Sequence, residues 1–248
     1  LNHIKNINLK NIKGWHTVLM ISGPEGSLEG SYHCSPMEPK APMVILMAPH
    51  PEQEGTMEHA VMQALFRVFA RLDFNILRFN YRGSGKSHGA FTNGEGEVSD
   101  AAACLDWMQN KNPNPAQCWV AGFSFGAYIA LQLLMRRPEC HSFVAISPLA
   151  NMYDFNFLAP CPAPGLVVHG DMDEVTPKES VIRLTHQLSM QKRGHKIALH
   201  LIPGANHAFS NHLKMVESIV QDYVLSKLCP AVGSVEKAQT RPHTALAG

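Results

Sequence analysis

Ser124 stands in Gly122-Phe123-Ser124-Phe125-Gly126, directly after the apolar run 118–123 and before a helical pattern over 127–137. In a strand–turn–helix context, a G-x-S-x-G turn holds its serine in a strained conformation that lifts Oγ clear of the sheet. The flanking glycines let strand and helix approach without Cβ clashes. A hydroxyl presented this way is a candidate nucleophile once a base takes its proton and a third group holds that base's tautomer. Without its context the five-residue pattern carries little, and the bland alternative is a tight structural turn.

Partners for that serine are found further along the chain. The strand-like run 166–169 leads into Gly170-Asp171-Met172-Asp173-Glu174-Val175, where three carboxylates compete for the orienting role. Asp171, at the strand end, suits local capping of backbone N–H groups. Asp173 is placed to turn back over the sheet and is the favoured acid, with Asp171 and Glu174 as alternatives. His207 follows the next strand in Pro203-Gly204-Ala205-Asn206-His207-Ala208-Phe209. It is the candidate base, since an imidazole changes charge near neutrality; the alternative is a surface loop histidine.

An oxyanion formed at Ser124 needs backbone donors. The Phe125 N–H is one. The second is expected from Pro49-His50-Pro51-Glu52-Gln53-Glu54-Gly55. Proline has no N–H, which leaves His50, Glu52 or Gln53, with Glu52 favoured and its side chain turned to solvent.

The elements that must hold these groups alternate along the chain. Residues 15–22 and 27–34 read as a hairpin about a Gly-Pro-Glu-Gly turn. Strands follow at 43–48, 75–80, 118–123, 142–147, 165–170 and 196–202, and helices at 57–72, 98–110, 125–137, 179–190 and 213–228. Val61, Leu65, Val68 and Leu72 form one helical stripe, and Leu213, Val216, Val220, Tyr223 and Leu228 another. This alternation predicts an α/β fold, a mostly parallel sheet covered by helices on both faces, with ligands bound beyond the strands' carboxyl ends. Residues 15–228 form one domain in this reading, with 1–14 an N-terminal extension and 229–248 a mobile tail.

With 248 residues, 45% hydrophobic, the chain can bury a large core, and its net charge of +1 implies no basic face for nucleic acid or anionic membrane. The apolar runs are strand-sized, too short to span a bilayer, and the first thirteen residues lack a secretory pattern. Six cysteines without a C-x-x-C pair read as reduced thiols in a cytoplasmic protein. None of the fourteen histidines falls in an H-E-x-x-H frame, so neither a metal nor a cofactor is expected. Gly83-Ser84-Gly85-Lys86-Ser87 looks like the end of a phosphate loop, but Asn80 stands where that motif needs glycine. It is read instead as a glycine turn anchored by Arg82.

Together these segments resemble the α/β-hydrolase superfamily over residues 15–228, and within it a small, largely uncharacterised bacterial branch related to dienelactone hydrolases and serine aminopeptidase-like proteins. The resemblance rests on the His50-Pro51 loop with Gly55-Thr56-Met57, on residues 78–87 and 122–126, on Asn151-Met152-Tyr153-Asp154-Phe155, and on Gly170–Asp173 with Asn206-His207. It implies a Ser124/Asp173/His207 triad that hydrolyses an ester-like bond of a small molecule, without a cofactor. The branch usually doubles the His-Pro and the glycine of that loop; here Ala48 and Glu54 take the first place of each. Only residues 148–164, with Tyr153, Phe155 and Phe157, lie where many such hydrolases insert a helical lid, so an open, shallow, aromatic-walled site without a large cap is expected. Thioesterase and aminopeptidase chemistry share the same machinery, and Glu52, Glu54 and Glu58 could hold a free amino terminus. A non-catalytic binding scaffold is the remaining alternative. A monomer or homodimer is the default.

Overall fold

The computed structural model describes residues 14–228 apart from 38, 54 and 191–194. The expected tail over 229–248, Cys229 and Glu54 lie outside the described residues, as does the expected extension apart from Gly14. A hairpin of β1 (Trp15–Gly23) and β2 (Gly26–Cys34) opens the sheet. There follow β3 (Met43–Met47), α1 (Ala60–Arg71), β4 (Asn75–Phe79), α2 (Glu95–Lys111), β5 (Cys118–Phe123), α3 (Phe125–Arg136) and β6 (Ser142–Ile146). The chain continues through β7 (Gly165–Gly170), α4 (Lys178–Ser189), β8 (Ile197–Ile202) and α5 (Leu213–Leu228). The strand order is β1-β2-β4-β3-β5-β6-β7-β8. Pairing is antiparallel among β1, β2 and β4 and parallel from β4 to β8.

Strand periodicity divides the core in two. On β3, Met43, Ile45 and Met47 point into the cluster filled by α2, α3 and α4, while Val44 and Leu46 point into the one filled by α1 and α5. On β5, Cys118 and Val120 face the first cluster, Trp119, Ala121 and Phe123 the second. A strand apolar on both sides is what a sheet covered on both faces requires. Cys104, Cys118 and Cys140 are buried free thiols, and Cys34 and Cys161 are buried too. Among the described residues, no helix is long and apolar enough to cross a membrane.

Two helices start elsewhere than the apolar stripe suggests. The expected start of α1 at 57 moves to Ala60, because the Met57 N–H donates to Asn80 Oδ1 (2.8 Å) and the His59 ring caps the Val61 N–H (3.3 Å). Conversely α2 begins at Glu95, ahead of the expected 98. The buried Glu97 carboxylate accepts the N–H groups of Gly94 (2.6 Å) and Thr92 (3.0 Å), and two acids in the first turn complement the helix dipole.

The glycine turn after β4 is anchored as expected at Arg82. Its Nε and Nη2 donate to the Asp100 carboxylate on α2 at 3.0 and 2.7 Å, and its backbone N–H donates to the same carboxylate. Both side chains are buried, so removing one leaves the other as an uncompensated charge. Asp100→Ala is expected to lower the unfolding free energy by about 3–5 kcal/mol in urea titration. A loss within the noise of the assay would show that the pair holds nothing together.

A second buried polar group sits under the hairpin. Arg78, 1% exposed, stacks its guanidinium 4.6 Å from the Phe66 ring centre and donates to Ser31 Oγ and the Met57 carbonyl. His33, 2% exposed, packs edge-on to Phe66. Burial, then the neighbouring His16, push the His33 imidazole down to about 4, with Arg78 adding to the effect and Asp73 opposing it. The unfolded chain takes up this proton near pH 6.5 and the folded one only near 4. Stability is therefore full above about pH 6.5 and falls as the pH drops toward 4, by about 3 kcal/mol from this group. Chemical denaturation from pH 7.5 to 4.5 is expected to show such a slope, and His33→Gln to reduce it, the rest coming from His16, His59 and His169, which burial also lowers. An unchanged slope in the variant would assign the effect to other groups.

Candidate active site

Strand β5 delivers Ser124 to the start of α3 with φ +57°, a left-handed conformation a serine adopts only under constraint. The constraint is steric on both sides. A Cβ on Gly122 would stand 2.2 Å from the Gly126 carbonyl oxygen, and one on Gly126 would stand 2.2 Å from that of Met47. The Ser124 N–H donates to the Ile146 carbonyl at the end of β6 (2.9 Å), which fixes the turn from the neighbouring strand.

The three residues picked from sequence are brought together. Ser124 Oγ lies 2.9 Å from His207 Nε2, and His207 Nδ1 lies 2.8 Å from Asp173 Oδ2. The other carboxylate oxygen of Asp173 accepts the N–H groups of Val175 and Thr176, each at 2.8 Å. Burial by itself would raise the Asp173 carboxyl, but the His207 and Thr176 hydrogen bonds outweigh it and hold it below the ordinary carboxylate value. An ionised Asp173 favours the tautomer that carries its proton on Nδ1, the one in which Nε2 can accept from a hydroxyl.

The competing carboxylates do other work. Asp171 Oδ1 accepts the Gly204 N–H (2.7 Å), and the Met172 N–H donates to the Ala205 carbonyl (3.0 Å). Those bonds tie the loop after β7 to the loop that carries His207. Glu174 is exposed.

The loop after β3 is organised by His50. Its Nδ1 accepts the Glu52 N–H (3.3 Å), and its carbonyl accepts the N–H groups of Gln53 and Gly55 (both 3.1 Å). Its ring packs on Phe91 (4.6 Å between centroids) and on Phe125 (5.2 Å). The N–H groups of His50 and Phe125 have no acceptor among the described residues. Phe125 is the first residue of α3, so its N–H has no helical partner.

Aromatic side chains wall the other side. Tyr153 contacts Phe125 (5.8 Å) and stacks on Tyr128 (4.4 Å), which in turn meets Phe155 and Phe157. Three of these rings come from the segment between β6 and β7, which holds one short 3-10 turn, Asn156–Leu158, and no cap.

Sequence reasoning missed Phe91 and His59. Phe91 stands alone among glycine and polar residues of the Arg82 turn, and that isolation was its only signal. The His59 ring stacks on Phe123 at 4.9 Å, and Phe123 contacts the His207 ring at 5.2 Å. Burial, then the nearby His207, lower the His59 pKa. Among the described residues, no group of three or more His, Cys, Asp or Glu could hold a metal ion.

Comparison with known proteins agrees with this architecture. A family model for the alpha/beta hydrolase fold matches residues 55–165, and one for the prolyl oligopeptidase family matches residues 141–226. An uncharacterised protein of Rickettsia prowazekii is 43% identical over 84% of this chain and 88% of its own. A crystallised alpha/beta-hydrolase-like protein of unknown function from Agrobacterium tumefaciens is 45% identical, covering 87% of this chain and 98% of its own, with a TM-score of 0.83. An alpha-beta serine hydrolase homologue from Coxiella burnetii is 32% identical over 84% of this chain and 97% of its own, with a TM-score of 0.77. On the fold, the G-x-S-x-G turn and these relatives, the chain belongs to the α/β-hydrolase superfamily.

Proposed function

We propose that this protein is a serine hydrolase that cleaves an ester-like bond of a small substrate through an acyl-enzyme. The unbroken hydrogen-bonded chain from Asp173 through His207 to Ser124 Oγ carries the reading. Ser124 Oγ attacks the carbonyl carbon as His207 Nε2 takes its proton, and Asp173 stabilises the imidazolium that forms. His207 then gives the proton to the departing alkoxide. Water, deprotonated by the same imidazole, releases the acid and restores the serine.

The Phe125 N–H, at the positive end of α3, is one donor to the oxyanion. The second is better assigned to His50 than to Glu52, the donor favoured from sequence. The Glu52 N–H is held by His50 Nδ1 and that of Gln53 by the His50 carbonyl, which leaves the His50 N–H free to donate.

The aminopeptidase alternative needs a carboxylate for a free amino terminus. Of the acids considered for that role, Glu58 already pairs with Arg78 at 3.7 Å and with Gln63, which makes it less available. With no cap over an aromatic wall, little apolar surface is available to bury a long acyl chain.

A fluorophosphonate is expected to add once to the wild type and not to Ser124→Ala, read by intact mass. Folded wild-type protein that takes no adduct would instead support the binding scaffold. Among p-nitrophenyl esters, acetate and butyrate should exceed palmitate in kcat/KM by about tenfold or more. Faster turnover of palmitate would overturn the open-site reading, and faster turnover of an acyl thioester or an aminoacyl anilide would reassign the substrate class.

A further inference from the structure

Five residues other than glycine have positive φ among the described residues: Asp73, Asn93, Ser124, Ser147 and Phe209. Asp73 and Asn93 are of the types that tolerate it in turns. Ser124 is the proposed nucleophile, and Phe209 lies in the loop of the proposed base. Ser147 is a serine at φ +42°, wholly buried, in a position to which no role has been given. Strained residues held in place by their surroundings cluster at functional sites, and the contacts of this one say what it holds.

Ser147 follows β6, and its N–H donates to the Val168 carbonyl (2.9 Å), continuing the pairing of β6 with β7. Its Oγ donates to the backbone carbonyl of His207 (3.1 Å). The residue before it, Ile146, accepts the Ser124 N–H. One dipeptide at the end of β6 therefore grips the main chain of both residues whose side chains meet across 2.9 Å. Other ties hold the residues around it: Asp171 accepts the Gly204 N–H, the Met172 N–H donates to Ala205, and Asn206 bonds Phe209 and Ser210 across the turn. Among the described residues, only the Ser147 hydroxyl bonds the backbone of His207 itself.

We propose that Ser147 is a positioning residue: its hydroxyl, aimed by a left-handed backbone, fixes the His207 main chain so that Nε2 stays within reach of Ser124 Oγ. The proposal rests on the serine hydrolase reading above. The plain alternative is that the hydroxyl only satisfies a carbonyl and contributes to folding. The two differ in what they do to the folded enzyme. A misplacement of the order of 1 Å acts on the chemical step, while a lost structural bond acts on the folded fraction.

Ser147→Gly removes the hydroxyl and accepts the positive φ without strain; Ser147→Ala removes the hydroxyl and keeps the strain. Both are assayed beside the wild type for melting temperature, fluorophosphonate labelling rate, and kcat and KM on p-nitrophenyl acetate. In folded Ser147→Gly, kcat and the labelling rate are expected to fall about tenfold to a hundredfold while KM moves less than about twofold. If Ser147→Ala does not fold, Ser147→Gly decides alone. Wild-type kcat and labelling in folded Ser147→Gly, with or without a lower melting temperature, would overturn the positioning role and leave the hydrolase reading intact. A wild type that takes no label would overturn both.

Discussion

The absence of two Cβ atoms governs the arrangement of the site. Strand β3 and the first turn of α3 approach so closely at Gly126 that even a methyl group would overlap the Met47 carbonyl, and Gly122 is closed off in the same way by Gly126. That contact forces the chain to reverse at Ser124 within one residue, in a conformation serine does not otherwise prefer. Everything else at the carboxyl ends of the strands is arranged around the resulting hydroxyl. The Phe125 N–H at the start of α3 is left unpaired beside it, β6 supports its backbone, and the loops after β7 and β8 bring an imidazole to its oxygen.

Burial shows how the surrounding loops are held without a cap to pin them. Several connections near the site are fastened by buried charged or polar side chains. Arg82 is clamped by Asp100, the 92–94 turn by Glu97, and the Asp173 turn by its own carboxylate. Through the first two, Phe91 is brought against His50 and Phe125, so residues far from Ser124 in the chain shape the wall beside it. Such bonds are costly to bury half-made, and that cost makes the loop geometry specific.

Much of this was legible because strands and helices write different apolar periods. The alternating runs yielded the strands, the sheet's cover on both faces and all five helices to within a few residues. The strained turn at Ser124 and the meeting of Asp173 and His207 with it were legible for a similar reason, since backbone strain and turn chemistry restrict residue types. Arg82 could be read as an anchor, but its partner on α2 could not, because a long-range pair leaves no periodicity. The start of α2 was hidden by a glycine-rich, acidic stretch whose Glu97 is a cap rather than a surface charge. Val224, buried on α5, fell outside the stripe drawn from Leu213 and Tyr223, which are only partly buried. The choice among N–H groups after β3 depended on which were already bonded, a matter of coordinates alone. Ser147 was one more small residue at a strand end.

The bonds between the loops after β7 and β8 have a mechanical consequence. Asp171 to Gly204 and Met172 to Ala205 couple the turn bearing Asp173 to the loop bearing His207, so a shift in one is passed to the other, as in one raft. The 2.8 Å contact between Asp173 and His207 is thereby braced by backbone bonds between the two turns. Ser124 rides on a different body, the β5–α3 elbow. The compliant coordinate of the site is therefore the gap between raft and elbow, bridged on the main-chain side by the end of β6.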